Sequence, residues 1–331
     1  MIVLGIDTSC DDTGVGIAQG NKVLANSVAS QTAIHASWGG VVPEKASREH
    51  LSVIDAVVDE ALATAKLELS QIDAVAATYG PGLVGALLVG LNYAKALAWS
   101  LGKPFIGVHH LEGHIASSLG AAQLEPPFLC LIASGGHTSL FAVSRWGKYE
   151  ELGKTRDDAA GEAFDKVARL LGLGFPGGPE LASLAETGDD QGVSLPMPLR
   201  GQGGYEFSFS GLKTAVSVLL QKQPELNKAD LAASFERVVV DSLIDVVVRA
   251  SAATGYTDVV VAGGVAANQR LRRGFIDAKL NAFFPPLSLA TDNGAMIALA
   301  AHYKLGQNSN WLRDAQPYLP LDASLRSSAS S

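Results

Sequence analysis

The sequence predicts two related α/β lobes, and three observations carry that expectation. The first is length, since 331 residues exceed what a single compact core usually organises. The second is a repeated hairpin. Ile2 to Asp7 is an apolar run ending in a carboxylate, followed by a polar turn, Thr8 to Thr13, and a second strand from Gly14 to Ala18. Phe128 to Val143 repeats the unit as FLCLIA, a tight Ser134-Gly135-Gly136-His137-Thr138 turn and SLFAV. The third is a repeated strand, glycine turn and helix. Ala74 to Thr78 enters Gly80-Pro81-Gly82 and a helical pattern from Val84 to Ser100; Asp258 to Ala262 enters Gly263-Gly264 and a helix from near Ala267. A repeat this long is no solenoid and reads as two lobes flanking a cleft.

The remaining elements follow in order. Leu287 to Ala290 reads as a last strand, leading through Thr291-Asp292-Asn293-Gly294 into a helix from Ala295 to Tyr303. Pro196 to Tyr205, rich in glycine and carrying Arg200, reads as an exposed loop. The lobes are expected at 1–112 plus 293–321 and at 113–292, with 322–331 a frayed polar tail. The richest apolar stretch, Val84 to Leu101, is interrupted by Gly90, Asn92 and Lys95, so no membrane span is expected. The N-terminus lacks the basic region of a signal peptide, and Cys10 and Cys130 are too few for a disulfide framework. A cytoplasmic protein is the expectation, with Cys130 a small buried hydrophobe inside its apolar run. The net charge of −8 argues against a chain that grips nucleic acid unaided, because phosphate binding draws on a basic surface.

The sharpest chemical signal is His109-His110-Leu111-Glu112-Gly113-His114. On a helix, His110 and His114 share a face, a spacing that suits two imidazole ligands on one ion. The order excludes the familiar zinc peptidases. Those need glutamate directly after the first histidine or directly before the last, and here Leu111 and Gly113 stand in those places. Ordinary surface histidines are the competing reading. Asp292, at a strand end opening into a helix, is the best third ligand, although it could equally be that helix's N-cap. Two histidines and a carboxylate suit iron or zinc. Paired glycine turns in matching half-repeats also suit phosphate binding, since their backbone amides can point at an anion.

Several segments together resemble one family. GIDTSCDDTGV, TYGPGLVGALLVG, HHLEGH, SGGHT, DDAAGEAFDKVARLLGL, FPGGP, FSFSGLKT, VAGGVAANQRLR and TDNGAM, in that order from Met1 to about Tyr303, look like the TsaD family of threonylcarbamoyl-adenosine synthases. That resemblance implies two duplicated lobes of the actin and heat-shock-chaperone ATPase class, with a nucleotide and metal site in the cleft between them. It implies transfer of threonylcarbamoyl from threonylcarbamoyl-AMP to the exocyclic amine of the tRNA adenosine next to the anticodon. One divalent ion per subunit, Fe2+ or Zn2+, would be held by His110, His114 and Asp292. Ile132, Ala133, Ser134, Gly135, Gly136, Asp165, Gly178 and Asn268 would contact the adenylate, and Asp11 would lie near the reacting group. The implied partners are tRNA, a non-catalytic paralogous TsaB-like subunit and a small TsaE-like ATPase.

The bland readings stand beside these roles. Asp11 also suits a turn residue, Asp165 a solvated helix charge beside Asp158 and Glu162, and Asn268 a helix cap. Lys213, Arg270, Arg272 and Arg273 supply local positive charge for RNA or are ordinary surface cations. The first turn departs from the family, which usually carries glutamates where Asp7 and Asp12 stand; a shorter side chain needs a closer approach or a bridging water. Two other functions compete, a metallopeptidase and a non-enzymatic ATP-binding scaffold.

Overall fold

A computed structural model of the chain describes residues 1–36, 38, 40–122, 124–174, 176–305 and 311–321. The expected frayed tail, 322–331, lies outside the described residues. The chain forms two compact units, one of Met1–Leu124, Trp146–Lys148 and the described part of Pro285–Ser331, the other of Glu125–Arg145 and Tyr149–Phe284. Sequence reading divides the chain at 112/113 and 292/293. Residues 113–124 and 285–292 instead sit with the first unit, whose sheet and helices pack against the helices that flank them.

The first unit is built on β1 (Ile2–Asp7), β2 (Asp12–Gln19) and β3 (Lys22–Ser30), followed by a short α1 (Thr32–Ala36) and a long α2 (Pro43–Ala65). Then come β4 (Ala74–Gly80), α3 (Val84–Leu101), β5 (Phe105–His109) and α4 (His110–Ala122). Its sheet runs β3-β2-β1-β4-β5, with β1 antiparallel to β2 and parallel to β4, and β4 parallel to β5. Alternate residues of β1 face opposite layers, as the two-residue strand period requires. Leu4 and Ile6 join Val15, Ile54, Val58, Leu91 and Ala98 in one core, while Val3 joins Ala76, Val108, Met296 and Ile297 in another. Helix α3 is long and apolar enough to cross a membrane by length and composition alone. It packs on β4 and α2, however, and buries Leu87, Leu91, Ala94 and Ala98, as a core helix does.

The second unit repeats the pattern with β6 (Phe128–Ala133), β7 (Thr138–Arg145) and β8 (Lys148–Lys154). Helices α5 (Ala160–Leu171), α6 (Gly177–Ala185), α7 (Ser210–Lys222) and α8 (Lys228–Thr254) precede β9 (Asp258–Ala262), α9 (Gln269–Asp277) and β10 (Asn281–Phe283). Its sheet runs β10-β9-β6-β7-β8, which is the first sheet's order with each strand replaced by its counterpart. The hairpin and glycine-turn repeats therefore reflect two sheets of one topology. Cys130 is fully buried in β6.

One expected element is absent. Leu287–Leu289 is a single 3-10 turn rather than a strand. Pro285 and Pro286 immediately before it supply no amide hydrogens for a ladder, and the apolar run is too short to pair without them. Helix α10 (Gly294–His302) then returns to the first unit and packs on β1, β2 and α4.

Candidate metal centre

Helix α4 starts directly at the carboxyl end of β5, so His110 and His114 begin where the strand stops. The parallel registers of β1, β4 and β5 bring Asp7, Thr78 and His109 to the same edge of the sheet. Carboxyl ends of parallel strands are where ligands of α/β sheets gather. One helical turn separates the two histidines, and their ring centroids lie 4.7 Å apart. Asp292 Oδ1 lies 3.6 Å from His110 Nε2 and 3.2 Å from His114 Nε2. One ligand atom from each of the three residues falls within 4.8 Å of the other two.

These separations fit an ion. A tetrahedral cation about 2.1 Å from each donor holds its donors about 3.4 Å apart, and 3.6 and 3.2 Å bracket that value. His114 makes the stronger case. Its side chain is 1% exposed, and among the described residues neither ring nitrogen has a hydrogen-bond partner. Its Nε2 is within ion-pair distance of Asp292 yet outside hydrogen-bond geometry, as two ligands of a shared ion would be. A buried imidazole left so is costly without a ligand. At His110 burial pulls the pKa down, but the Asp292 and Asp7 carboxylates outweigh it and push the ring up to about 9. A cation arriving there competes with a proton.

The neighbouring residues explain why Asp292 reaches the histidines. A side chain at Gly113 would meet Ile297 Cδ1 at 2.9 Å and Met296 Cγ at 3.0 Å, so glycine there lets α10 lie close against α4. Asn293, not Asp292, is the N-cap of α10, its Oδ1 accepting from the Met296 amide at 2.9 Å. That settles the competing reading of Asp292, whose carboxylate is not the cap. Glu112 is occupied elsewhere. It accepts from the His109 amide at the start of its own helix and pairs with Lys304, so it is no peptidase base. His109 is structural too, with Nδ1 accepting from the Leu111 amide and Nε2 bonded to the Leu319 carbonyl at 3.0 Å.

Asp11 lies on the turn from β1 to β2, and Asp12 opens β2. Burial pushes the Asp12 carboxyl up to about 6, with a Ser30 hydrogen bond opposing and the Asp11, Asp292 and Asp7 charges reinforcing. Burial and the same acidic surroundings also raise the Cys10 thiol strongly, so Cys10 is no thiolate at neutral pH.

In the second unit Ile132 and Ala133 end β6, buried. Ser134 closes the following turn on itself, its Oγ accepting from the Gly136 amide at 3.4 Å and the His137 amide at 3.1 Å. Gly135 and Gly136 have open space above their Cα atoms. Asp158 and Glu162 are both paired by Lys166, at 2.8 Å, whereas Asp165 is bonded elsewhere. It accepts from the Gly177 amide at 2.8 Å, which fixes the first turn of α6, where Gly178 sits with open space above it. Burial raises the Asp165 carboxyl while the Gly177 and Gly178 amides oppose that shift. Asn268 caps α9 through the Leu271 amide at 2.8 Å, and its amide group donates to Glu236 at 2.6 Å. Of the cations, Arg270 is bound to Asp190 at 2.6 Å and Arg272 lies over the Phe284 ring, so neither is an uncommitted charge.

Two five-stranded sheets of one topology, each flanked by helices, place the chain in the actin-like fold class, and solved structures agree. The chain superposes on HypF of T. kodakarensis with a TM-score of 0.62 at 15% identity, over 92% of this chain and 47% of that one. It superposes on (R)-2-hydroxyglutaryl-CoA dehydratase component A of Acidaminococcus fermentans with a TM-score of 0.58 at 18% identity, over 92% and 98%. Such identities show the fold alone. A family model described as tRNA N6-adenosine threonylcarbamoyltransferase, TsaD, matches residues 22–299. Proteins of that name are similar along their whole length. One from Thermus thermophilus is 55% identical over 99% of this chain and 98% of its own. That of Thermodesulfovibrio yellowstonii is 50% identical over 97% and 100%. The chain belongs to the TsaD family of tRNA N6-adenosine threonylcarbamoyltransferases.

Proposed function

We propose that this chain transfers the threonylcarbamoyl group of threonylcarbamoyl-AMP to N6 of the adenosine next to the anticodon, in tRNAs reading codons that begin with A. The reading rests on one observation: in a chain that matches the family over residues 22–299, His110, His114 and Asp292 converge within 4.8 Å. Adenine N6 is a weak nucleophile because its lone pair is delocalised into the ring. The mixed anhydride compensates with a good leaving group. A bond forms from N6 to the carbamoyl carbon, the bond from that carbon to the phosphate oxygen breaks, AMP leaves and N6 gives up a proton.

His110, His114 and Asp292 hold the divalent ion, with Fe2+ preferred and Zn2+ the alternative. When bound, that ion supplies Lewis-acid and template chemistry. Asp11 takes the N6 proton as general base. Ile132 to Gly136 and Gly178 offer backbone to the adenylate, Asp165 holds the α6 turn in place for it, and Asn268 lies at the ribose. The protein works in the cytoplasm with a TsaB-like subunit and a TsaE-like ATPase. A peptidase role is disfavoured by Glu112, which is committed to Lys304 and to the start of α4.

The test is reconstitution of the full chain with those partners, threonylcarbamoyl-AMP and unmodified tRNA, with the modified nucleoside measured by mass spectrometry after nuclease digestion. His110→Ala and His114→Ala should each lower the rate at least about 100-fold with the fold intact by circular dichroism. Chelation should do the same to the native protein, reversed by adding Fe2+ or Zn2+. A fully active His114→Ala protein would sink the metal assignment.

A further inference from the structure

We propose that Asp7 is a positioning residue that fixes His110 for metal ligation, an inference that rests on the metal reading above. An imidazole ligand must offer a lone pair from one nitrogen while the other carries hydrogen, and whatever accepts that hydrogen sets the tautomer and the ring's direction. At His110 the two nitrogens face opposite carboxylates. Nε2 faces Asp292 at 3.6 Å, and Nδ1 lies 3.3 Å from Asp7 Oδ1. With Nδ1–H donating to Asp7, the Nε2 lone pair points to the side of Asp292 and His114.

Asp7 is built to hold still. It is the last residue of β1 and fully buried. Thr78, near the end of the adjacent β4, donates its hydroxyl to Oδ1, and the Ser9 hydroxyl donates to Oδ2 at 3.0 Å. Both oxygens are thus anchored before the imidazole is considered. Asp7 meets the Nδ1 side of the ring and does not belong to the cluster of ligand atoms, so it acts through His110. A carboxylate there also makes Nε2 more basic. Among the described residues His114 has no counterpart to Asp7, since no hydrogen-bond partner meets its Nδ1. The short Asp7 side chain reaches His110 Nδ1 directly, at 3.3 Å.

The experiment measures Co2+ and Zn2+ affinity of the purified full chain by chelator competition, together with the visible spectrum of the Co2+ form. Asp7→Asn should weaken binding roughly 10- to 100-fold and alter the spectrum, while Asp7→Glu should return affinity to within about threefold of native. Thr78→Val, which removes one anchor and keeps the carboxylate, should weaken binding in the same direction by less. Melting temperatures of all variants separate folding from ligation. An Asp7→Asn protein that melts lower yet binds Co2+ within about twofold of native, while His114→Ala has lost the ion, overturns the positioning role. Equal binding by the native and His114→Ala proteins overturns the metal reading, and this inference with it.

Discussion

His50 is buried in the first unit with both ring nitrogens engaged. Its Nδ1 accepts from the Thr13 hydroxyl at 2.7 Å and faces the Gln31 amide at 3.4 Å, and its Nε2–H donates to the Cys10 carbonyl at 3.0 Å. Gln31 in turn accepts from His35 Nε2 at 3.0 Å. This network braces the Cys10-Asp11-Asp12 turn, and the Gln31 amide facing Nδ1 favours a neutral His50. Burial lowers the His50 pKa, and it outweighs the Cys10 carbonyl and the Asp7, Asp11 and Glu49 charges. The sign follows. The unfolded chain takes up this proton as pH falls through about 6.5 and the folded chain takes it up later, so acid favours unfolding. His50→Gln should melt lower at about pH 8 and lose less on going to about pH 5.5 than native does, as read by thermal denaturation. Equal losses would remove His50 as the sensor, and Asp12 contributes alike to both proteins. His110 and His114 are legible in the sequence because their partnership is local, set by helix period. Asp7 and His50 are not, because strand register and the packing of α2 bring their partners from distant sequence. Asn268 caps α9, the helix start that its position after a glycine turn suggests, and Asp165 accepts from the first turn of α6, a partner that only the fold brings to it.

At the scale of elements, the candidate site depends on how closely α10 approaches the first sheet. A Cβ at Gly16 would stand 2.1 Å from the Ala295 nitrogen, and one at Gly294 would stand 2.3 Å from the Gly16 nitrogen. Those contacts are backbone on backbone and leave no flexible side chain to yield. Gly16→Ala must therefore push α10 outward, and Asp292, two residues before that helix, moves with it. Overpacking of this kind costs about 1–3 kcal/mol or more. Gly16→Ala should lower the melting temperature and weaken metal binding together, whereas Gly20→Ala, whose Cβ meets open space at a φ of +59°, should affect only stability. Loss of stability with unchanged Zn2+ affinity would show that Asp292 is placed independently of α10. Sequence reading puts a helix after Asp292 and finds it within a residue at either end, because an N-cap side chain followed by an apolar run is a local signal. It puts a strand before Asp292 where the structure has a 3-10 turn, because strand formation needs a neighbour with donors to share, and two prolines remove them.

For the whole molecule, duplication is legible because each half writes the same hairpin and the same strand, glycine turn and helix into its residues, and the two sheet orders match. The division between units is less so, since packing against a sheet decides to which unit α4 and residues 285–292 belong, although α10 falls in the first unit as expected. Charge is the global property with the clearest consequence. The chain carries 25 lysines and arginines against 33 aspartates and glutamates. Several of the cations are already engaged, Arg270 with Asp190, Lys166 with Asp158 and Glu162, and Lys304 with Glu112. Affinity for tRNA draws on counterions released as phosphates are neutralised, and each neutralised phosphate steepens the dependence on salt. A chain with this balance, alone, should bind tRNA weakly and with a shallow slope, its logarithmic affinity falling by only about one to three for each tenfold rise in salt. Adding the proposed TsaB-like subunit and TsaE-like ATPase should raise the affinity, steepen the slope and bring activity from a low level to full turnover. Filter binding across a salt series, paired with the nucleoside assay on the same preparations, measures both. Tight, steeply salt-dependent binding and full activity from the lone chain would show that a local basic surface suffices and that the partners serve some other step.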